Sequence, residues 1–116
     1  MININQRIIS TTKQLITWLV NKDYKTLENF SNGIRLTADQ LQEAVAEYGH
    51  TLIMPPDETF NDLDVIEVSN LIPRQWSARF DLWTDDEGRS DLSLEYTLID
   101  NYKDMLAFEL DNLHVL

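Results

Sequence analysis

Cysteine is absent from the 116 residues, which excludes disulfides, thiolate nucleophiles and cysteine-based zinc sites. Its absence also fits a reducing compartment. Histidine is scarce. His50 and His114 are the only two, so an imidazole general base would have to be one of them. With so few nitrogen and sulfur ligands, neither a transition-metal site nor a cofactor is expected. Glycine-rich phosphate-binding, dinucleotide-binding and serine-hydrolase motifs do not occur. No stretch approaches the roughly 18 apolar residues needed to span a bilayer. The first residues, with Arg7, Lys13 and repeated Ser, Thr and Gln, lack the unbroken apolar centre of a signal peptide. The expectation is a soluble cytoplasmic protein with no membrane partner.

What is present points to one globular domain, residues 1–116. The chain is long enough to bury a core without staples, and its hydrophobic fraction of 43% is that of ordinary globular proteins. The net charge is −11, unevenly spread. Residues 1–36 hold five basic side chains against Asp23 and Glu28, a balance of +3. Residues 37–116 hold four basic against eighteen acidic, a balance of −14. Such a field repels nucleic acid and anionic membranes and attracts basic partners.

The clearest local signal spans residues 75–99. Trp76, Ala78, Phe80 and Leu82 alternate onto one face, as do Leu92, Leu94, Tyr96 and Leu98, and the polar segment Asp85-Asp86-Glu87-Gly88-Arg89-Ser90 separates them. Period-two alternation on both arms of a Gly-containing loop is a β-hairpin with one buried face. Upstream, Ile8, Leu15, Trp18 and Leu19 form a helical stripe over residues 7–21. Residues 23–30 read as a short second helix with Asp23 as N-cap and Tyr24, Leu27 and Phe30 inward, stopped at Ser31-Asn32-Gly33. Thr37 and Gln40 form a capping box for a third helix with Leu41, Val45 and Tyr48 inward and Gly49 as its stop; Leu36 and Leu41 supply a staple. Residues 51–54 predict a short strand before Pro55-Pro56. A polar acidic loop over 57–63 follows, then a strand over 64–69.

The last strand, 105–115, changes phase. Leu106, Phe108 and Leu110 are even-numbered, whereas Leu113 and Val115 are odd. A bulge near Asp111-Asn112 would return both groups to one face and turn His114 away from it. The fold class is α+β: two to three N-terminal helices packed on one face of a four- to five-stranded antiparallel sheet.

Candidate chemistry is thin. The inner face holds no carboxylate or imidazole, which argues against catalysis. Trp76 and Tyr96 on that face are the residues that would line a pocket between helices and sheet. His50 follows a helix stop, where the dipole favours an imidazolium. The acidic groups Asp57, Glu58, Asp62, Asp64 and Asp85, Asp86, Glu87 lack the spacing of a calcium loop and read as solvated loops, so no metal site is assigned. The opposite sheet face carries Arg79, Asp81 and Trp83, with Ser93, Glu95 and Thr97 beside them. A large aromatic in a polar field is typical of a binding hot spot. Partner-binding residues are therefore sought among Arg79, Asp81, Trp83, Asp85, Asp86 and Glu87, for a basic protein or for a second copy through the Trp83 face.

Six further stretches are Arg35-Leu36-Thr37 to Tyr48-Gly49, Asp62-Leu63-Asp64-Val65-Ile66-Glu67-Val68, Trp76-Ser77, Asp81-Leu82-Trp83-Thr84, Glu87-Gly88-Arg89-Ser90-Asp91-Leu92 and the ending Asp111-Asn112-Leu113-His114-Val115-Leu116. Together they resemble a family of uncharacterised bacterial proteins, a domain of unknown function, over most of residues 25–116. That resemblance implies no activity and no site residues. The helix-then-sheet order is similar to cystatin-like and nuclear-transport-factor-like cones, a likeness of shape that many unrelated functions share. The function expected is a non-catalytic acidic interaction domain of immunity or inhibitor type. The alternative is a small-ligand-binding or enzymatic cone.

Overall fold

The computed structural model describes residues 3–31 and 35–116, and there the order is three helices followed by five strands. Helix α1, Ile4–Val20, begins earlier than the apolar stripe predicts. Asn3 and Gln6 form a capping box: Asn3 Oδ1 accepts from the Gln6 N–H at 2.9 Å and Gln6 Oε1 from the Asn3 N–H at 3.1 Å. Its buried face is Ile8, Leu15, Ile16 and Leu19 with Thr11 and Thr12.

Helix α2, Tyr24–Phe30, turns Tyr24 and Leu27 inward but not Phe30, which is 61% exposed. The helix ends at Phe30 and the chain becomes extended at Ser31, so the ring lies on Trp18 at the surface, centroids 5.5 Å apart. Asp23 occupies the N-cap without a side-chain cap bond. Of the expected stop, Ser31 forms a bridge beside Phe108, while Asn32 and Gly33 lie outside the described residues. Helix α3, Ala38–Tyr48, has both halves of the Thr37/Gln40 capping box. Gly49 ends it at φ +80°, a conformation that favours glycine.

The strands are β1 (Leu52–Ile53), β2 (Asp64–Val68), β3 (Gln75–Thr84), β4 (Gly88–Ile99) and β5 (Ala107–Val115). All pairings are antiparallel. β4 lies between β3 and β5, while β1 and β2 share the other edge of β3. β1 faces Trp83 and Thr84, and β2 faces Gln75 to Arg79, so Phe80 to Leu82 meet no strand on that side. The segment expected as a polar loop bridges this gap with a 3₁₀ helix, Asp57–Asn61. It turns Phe60 into the core to stack on Phe80, centroids 5.4 Å apart.

The expected bulge in β5 is present. Glu95 pairs with Asn112 and Tyr96 with Leu110, which leaves Asp111 as the extra residue. Leu113 is thereby buried with Leu110, although Val115, at the strand end, stays exposed. A second irregularity has no trace in the alternation. Asp81 pairs with Ser93 and Trp83 with Arg89, so β3 advances two residues while β4 advances four. Ser90 fills this bulge: its hydroxyl donates to the Leu82 carbonyl at 2.6 Å and accepts from the Leu92 N–H at 3.2 Å.

The three helices cover the inner face, where Leu94, Tyr96, Leu98 and Leu110 have no exposure. Each large apolar side chain so buried contributes about 1.5–3 kcal/mol. Polar ties fix how α1 sits on this face. Thr12 and the Tyr96 hydroxyl are hydrogen-bonded at 2.8 Å, and Thr11 Oγ1 accepts from the Leu106 N–H at 3.0 Å. At the helix start, Arg7 Nη2 donates to Asp100 Oδ1 at 2.9 Å and Arg7 Nε to the Lys103 carbonyl at 2.8 Å.

Replacing Tyr96 by Phe strands the buried Thr12 hydroxyl and should cost about 1–2 kcal/mol in urea unfolding. Adding Thr12→Val to Tyr96→Phe should recover part of that loss. The Asp100 carboxyl sits below its usual pKa because the Tyr102 N–H and Arg7 stabilise its anion against the opposing effect of burial. A carboxyl with a depressed folded-state pKa adds stability that is full above about pH 5 and fades as pH falls through the lowered value. Asp100→Asn should therefore flatten the acid limb of a stability–pH curve, and an unchanged limb would refute this role.

Candidate functional site

Odd-numbered residues of β3 and β4 point away from the helices. They bring Arg79, Asp81 and Trp83 beside Ser93, Glu95 and Thr97, and Asn112 and His114 join from β5 beyond the bulge. Asp81, Ser93 and His114 lie in one row across three strands, since Ser93 is the ladder partner of both others. This face is half-buried, and Ser93 has no exposure at all.

Its hydrogen bonding is incomplete. Among the described residues, five buried side-chain atoms lack a hydrogen-bond partner: Asp81 Oδ1, Trp83 Nε1, Ser93 Oγ, Asp111 Oδ1 and His114 Nε2. All five belong to this face. The inner core carries none, although Thr11, Thr12, Thr84 and Ser90 are buried there. Ion pairs reach some of these groups without completing them. Arg35 lies 3.3 Å from Asp111 Oδ1, and His114 Nε2 lies 3.6 Å from Glu95. A buried polar group left unmatched costs about 1–3 kcal/mol, and Arg35 and Glu95 offset part of that cost at Asp111 and His114.

The row does not form a nucleophile–base–acid relay. Ser93 stands between Asp81 and His114, bonds to neither, and is closed to solvent. Asp81 is engaged by Arg89, whose Nε and Nη2 both donate to Oδ2 at 2.9 and 2.6 Å.

A pocket of about 380 Å³ opens where β1 and β2 leave the β3 edge uncovered. Glu58, Asp62, Asp64 and Asp81 line it with Arg79, Arg89 and Trp83. Arg79 stands 3.6 Å from Asp64, too far for a hydrogen bond.

The turn residues divide. Asp86 accepts from His50 Nδ1 at 2.8 Å, and Glu87 accepts from the Tyr48 hydroxyl at 2.8 Å. Both are thus tied to the end of α3, while Asp85 stays exposed with its backbone N–H on the Thr51 carbonyl. Burial pushes the Asp86 pKa up, but hydrogen bonds from His50, its own N–H and Thr84 outweigh it and leave the carboxyl below its usual value. The Tyr48 hydroxyl is pushed up by burial and by its bond to Glu87. His50, Asp86 and Glu87 are the one trio of metal-competent side chains within 4.8 Å of one another among the described residues, and their atoms already pair with each other and with Tyr48. The described side-chain bonds of His50 thus go to the hairpin turn.

Trp76 and Tyr96 separate as well. Tyr96 is enclosed with its hydroxyl on Thr12, and burial raises its pKa. Trp76 borders a groove of about 430 Å³ between α1, the 3₁₀ helix and β2. Glu67, the titratable group there, is held ionised by Arg74, which donates to it at 2.8 and 3.0 Å. Sequence reasoning placed Ser93 on this face but missed Glu58 and Asp62 as pocket residues and His114 as a row partner. The fourfold acidic spacing 57-58-62-64 was the available signal for the first pair.

A family model described as a domain of unknown function, DUF7668, matches residues 16–116. The chain belongs to that family. The model spans α3, all five strands and every residue of the sheet face just described, and the family's description assigns no chemistry to them. No curated protein and no solved structure shows significant similarity to the chain. No helix among the described residues is long and apolar enough to cross a membrane.

Ser93→Ala removes an unmatched hydroxyl without opening a cavity. It should raise stability in urea unfolding by about 1 kcal/mol, and a loss of stability would show that Ser93 is satisfied internally.

Proposed function

We propose that this domain is a non-catalytic binding module of immunity or inhibitor type that engages a basic protein through its open sheet face. The observation that carries the reading is the confinement to that one face of all five unmatched buried side-chain atoms found among the described residues. A partner that moves aside the side chains over them, as Arg89 lies over Asp81, would supply missing donors and acceptors and recover energy they cost on folding. The charge of residues 37–116, −14, favours a basic partner and disfavours nucleic acid. The lack of cysteine suits a reducing compartment such as a bacterial cytoplasm. A second copy docked through the same face would cover the same atoms, against the repulsion of two chains of charge −11. The small-ligand reading rests on the groove beside Trp76, where Glu67, ionised by Arg74, is a poor general acid.

Capture from native lysate with mass spectrometry, together with light scattering of the purified protein, tests the reading. Wild type should retain one stoichiometric basic partner and be monomeric alone. Trp83→Ala should weaken the complex by about 2 kcal/mol or more, as central aromatic residues do. The triple change of Asp85, Asp86 and Glu87 to Ser should weaken it less, because Asp86 and Glu87 already serve Tyr48 and His50. A partner indifferent to Trp83→Ala would sink the proposal.

A further inference from the structure

The pocket at the uncovered edge of β3 has a more specific chemistry than the face as a whole. Its carboxylates outnumber its guanidinium groups four to two, so an anionic ligand is unsuited to it. A metal ion is unsuited too, because no three of its carboxylates gather within 4.8 Å, as His50, Asp86 and Glu87 do. The shape calls for an extended organic cation. Asp81 shows how such a cation would bind. Arg89 places two donors on Oδ2 alone, although a carboxylate holds a guanidinium best with both oxygens in parallel. Oδ1 is left buried and unclaimed. The two partners also differ in exposure: the Asp81 side chain is 13% exposed and that of Arg89 70%. The carboxylate is built into the sheet, whereas the guanidinium over it is an exposed side chain that costs little to move. Trp83 completes the wall, with an indole face suited to a planar cation and an N–H that lacks an acceptor.

We propose that this pocket is a receptor for an arginine side chain of the partner protein, with Arg89 as a resident competitor that the incoming guanidinium displaces from Asp81. This deepens the sheet-face reading and rests on it. The incoming group takes both oxygens of Asp81 and lies along Trp83, while the displaced Arg89 moves to solvent. Arginine is favoured over lysine because only a planar fork can use both carboxylate oxygens at once.

The test is a titration of the ¹⁵N-labelled full chain with N-acetyl-L-arginine amide, followed at the indole Nε1–H signals and assigned with Trp83→Phe. The Trp83 signal should shift saturably, while those of Trp18 and Trp76 stay in place. Asp81→Asn should weaken binding at least about tenfold, because it removes the paired charge. Arg89→Gln should strengthen it several-fold by vacating Asp81, a direction that a misfolded variant would not produce. Asp104→Asn makes the same charge change on the exposed β4–β5 loop, outside the pocket lining, and should leave affinity within about twofold. The corresponding citrulline amide, neutral and nearly isosteric, should give no saturable shift. The proposal is overturned by an unmoved Trp83 signal, by equal responses to citrulline, or by equal effects of the Asp81 and Asp104 changes. Capture of a partner that survives Asp81→Asn but not Trp83→Ala would retire the arginine receptor and leave the sheet-face reading intact. Arginine binding with no captured partner would do the reverse.

Discussion

Burial of the inner face of β4 is the constraint on which the rest of this structure depends. Leu92, Leu94, Tyr96 and Leu98 are all enclosed, and a strand can be sealed this way only if its backbone is paired along both edges. β3 and β5 provide that pairing, and α1 then has a continuous apolar floor to pack on. Thr12 and Tyr96 set the position of the helix along the floor. The far edge of β3 is under less demand, and two short strands with a 3₁₀ helix between them are enough to cover it. The pocket beside Asp81 exists because that cover is discontinuous.

The legibility of the fold follows from what each feature does to a period of two. The hairpin was readable because both arms alternate without interruption. The single-residue bulge at Asp111 was readable because one extra residue reverses the phase and leaves Leu113 and Val115 on odd numbers. The bulge opposite Leu82 was not, because two extra residues restore the phase they disturb. The 3₁₀ helix was hidden for another reason. Phe60 is a lone aromatic among polar neighbours, and its burial is decided by Phe80, twenty residues on. The early start of α1 was written in Asn3 and Gln6, at positions with no apolar stripe to draw attention to them. Phe30 misled because helical spacing says which residues share a stripe, not how far a seven-residue helix stays against the core.

The candidate site was legible in part, for a related reason. Arg79, Asp81 and Trp83 could be placed on one face by parity alone. Ser93 followed by the same parity, but His114 as its row partner needed the register across three strands, which no single strand encodes. Asp86 and Glu87 looked like free turn carboxylates, yet Tyr48 and His50, more than thirty residues earlier, engage them. What unites the outer face is incomplete hydrogen bonding. Among the described residues, no buried side-chain polar atom of the inner face lacks a hydrogen-bond partner, while five of the outer face do. Surfaces of that kind lower the stability of the free chain and repay it in a complex.

The unpaired outer edge of β2 has a consequence for life at high concentration. An open edge invites another chain to extend the sheet, and here it carries Ile66, 69% exposed. The invitation is kept brief. The strand has five residues, Asp64 and Glu67 put negative charge along it, and Pro73 interrupts the chain just beyond. Asp64 and the overall charge of −11 therefore oppose the joining of two such edges, while Glu67 is already engaged by Arg74. Acid or concentrated salt, by silencing them, would turn the same edge into a seed for ordered self-association.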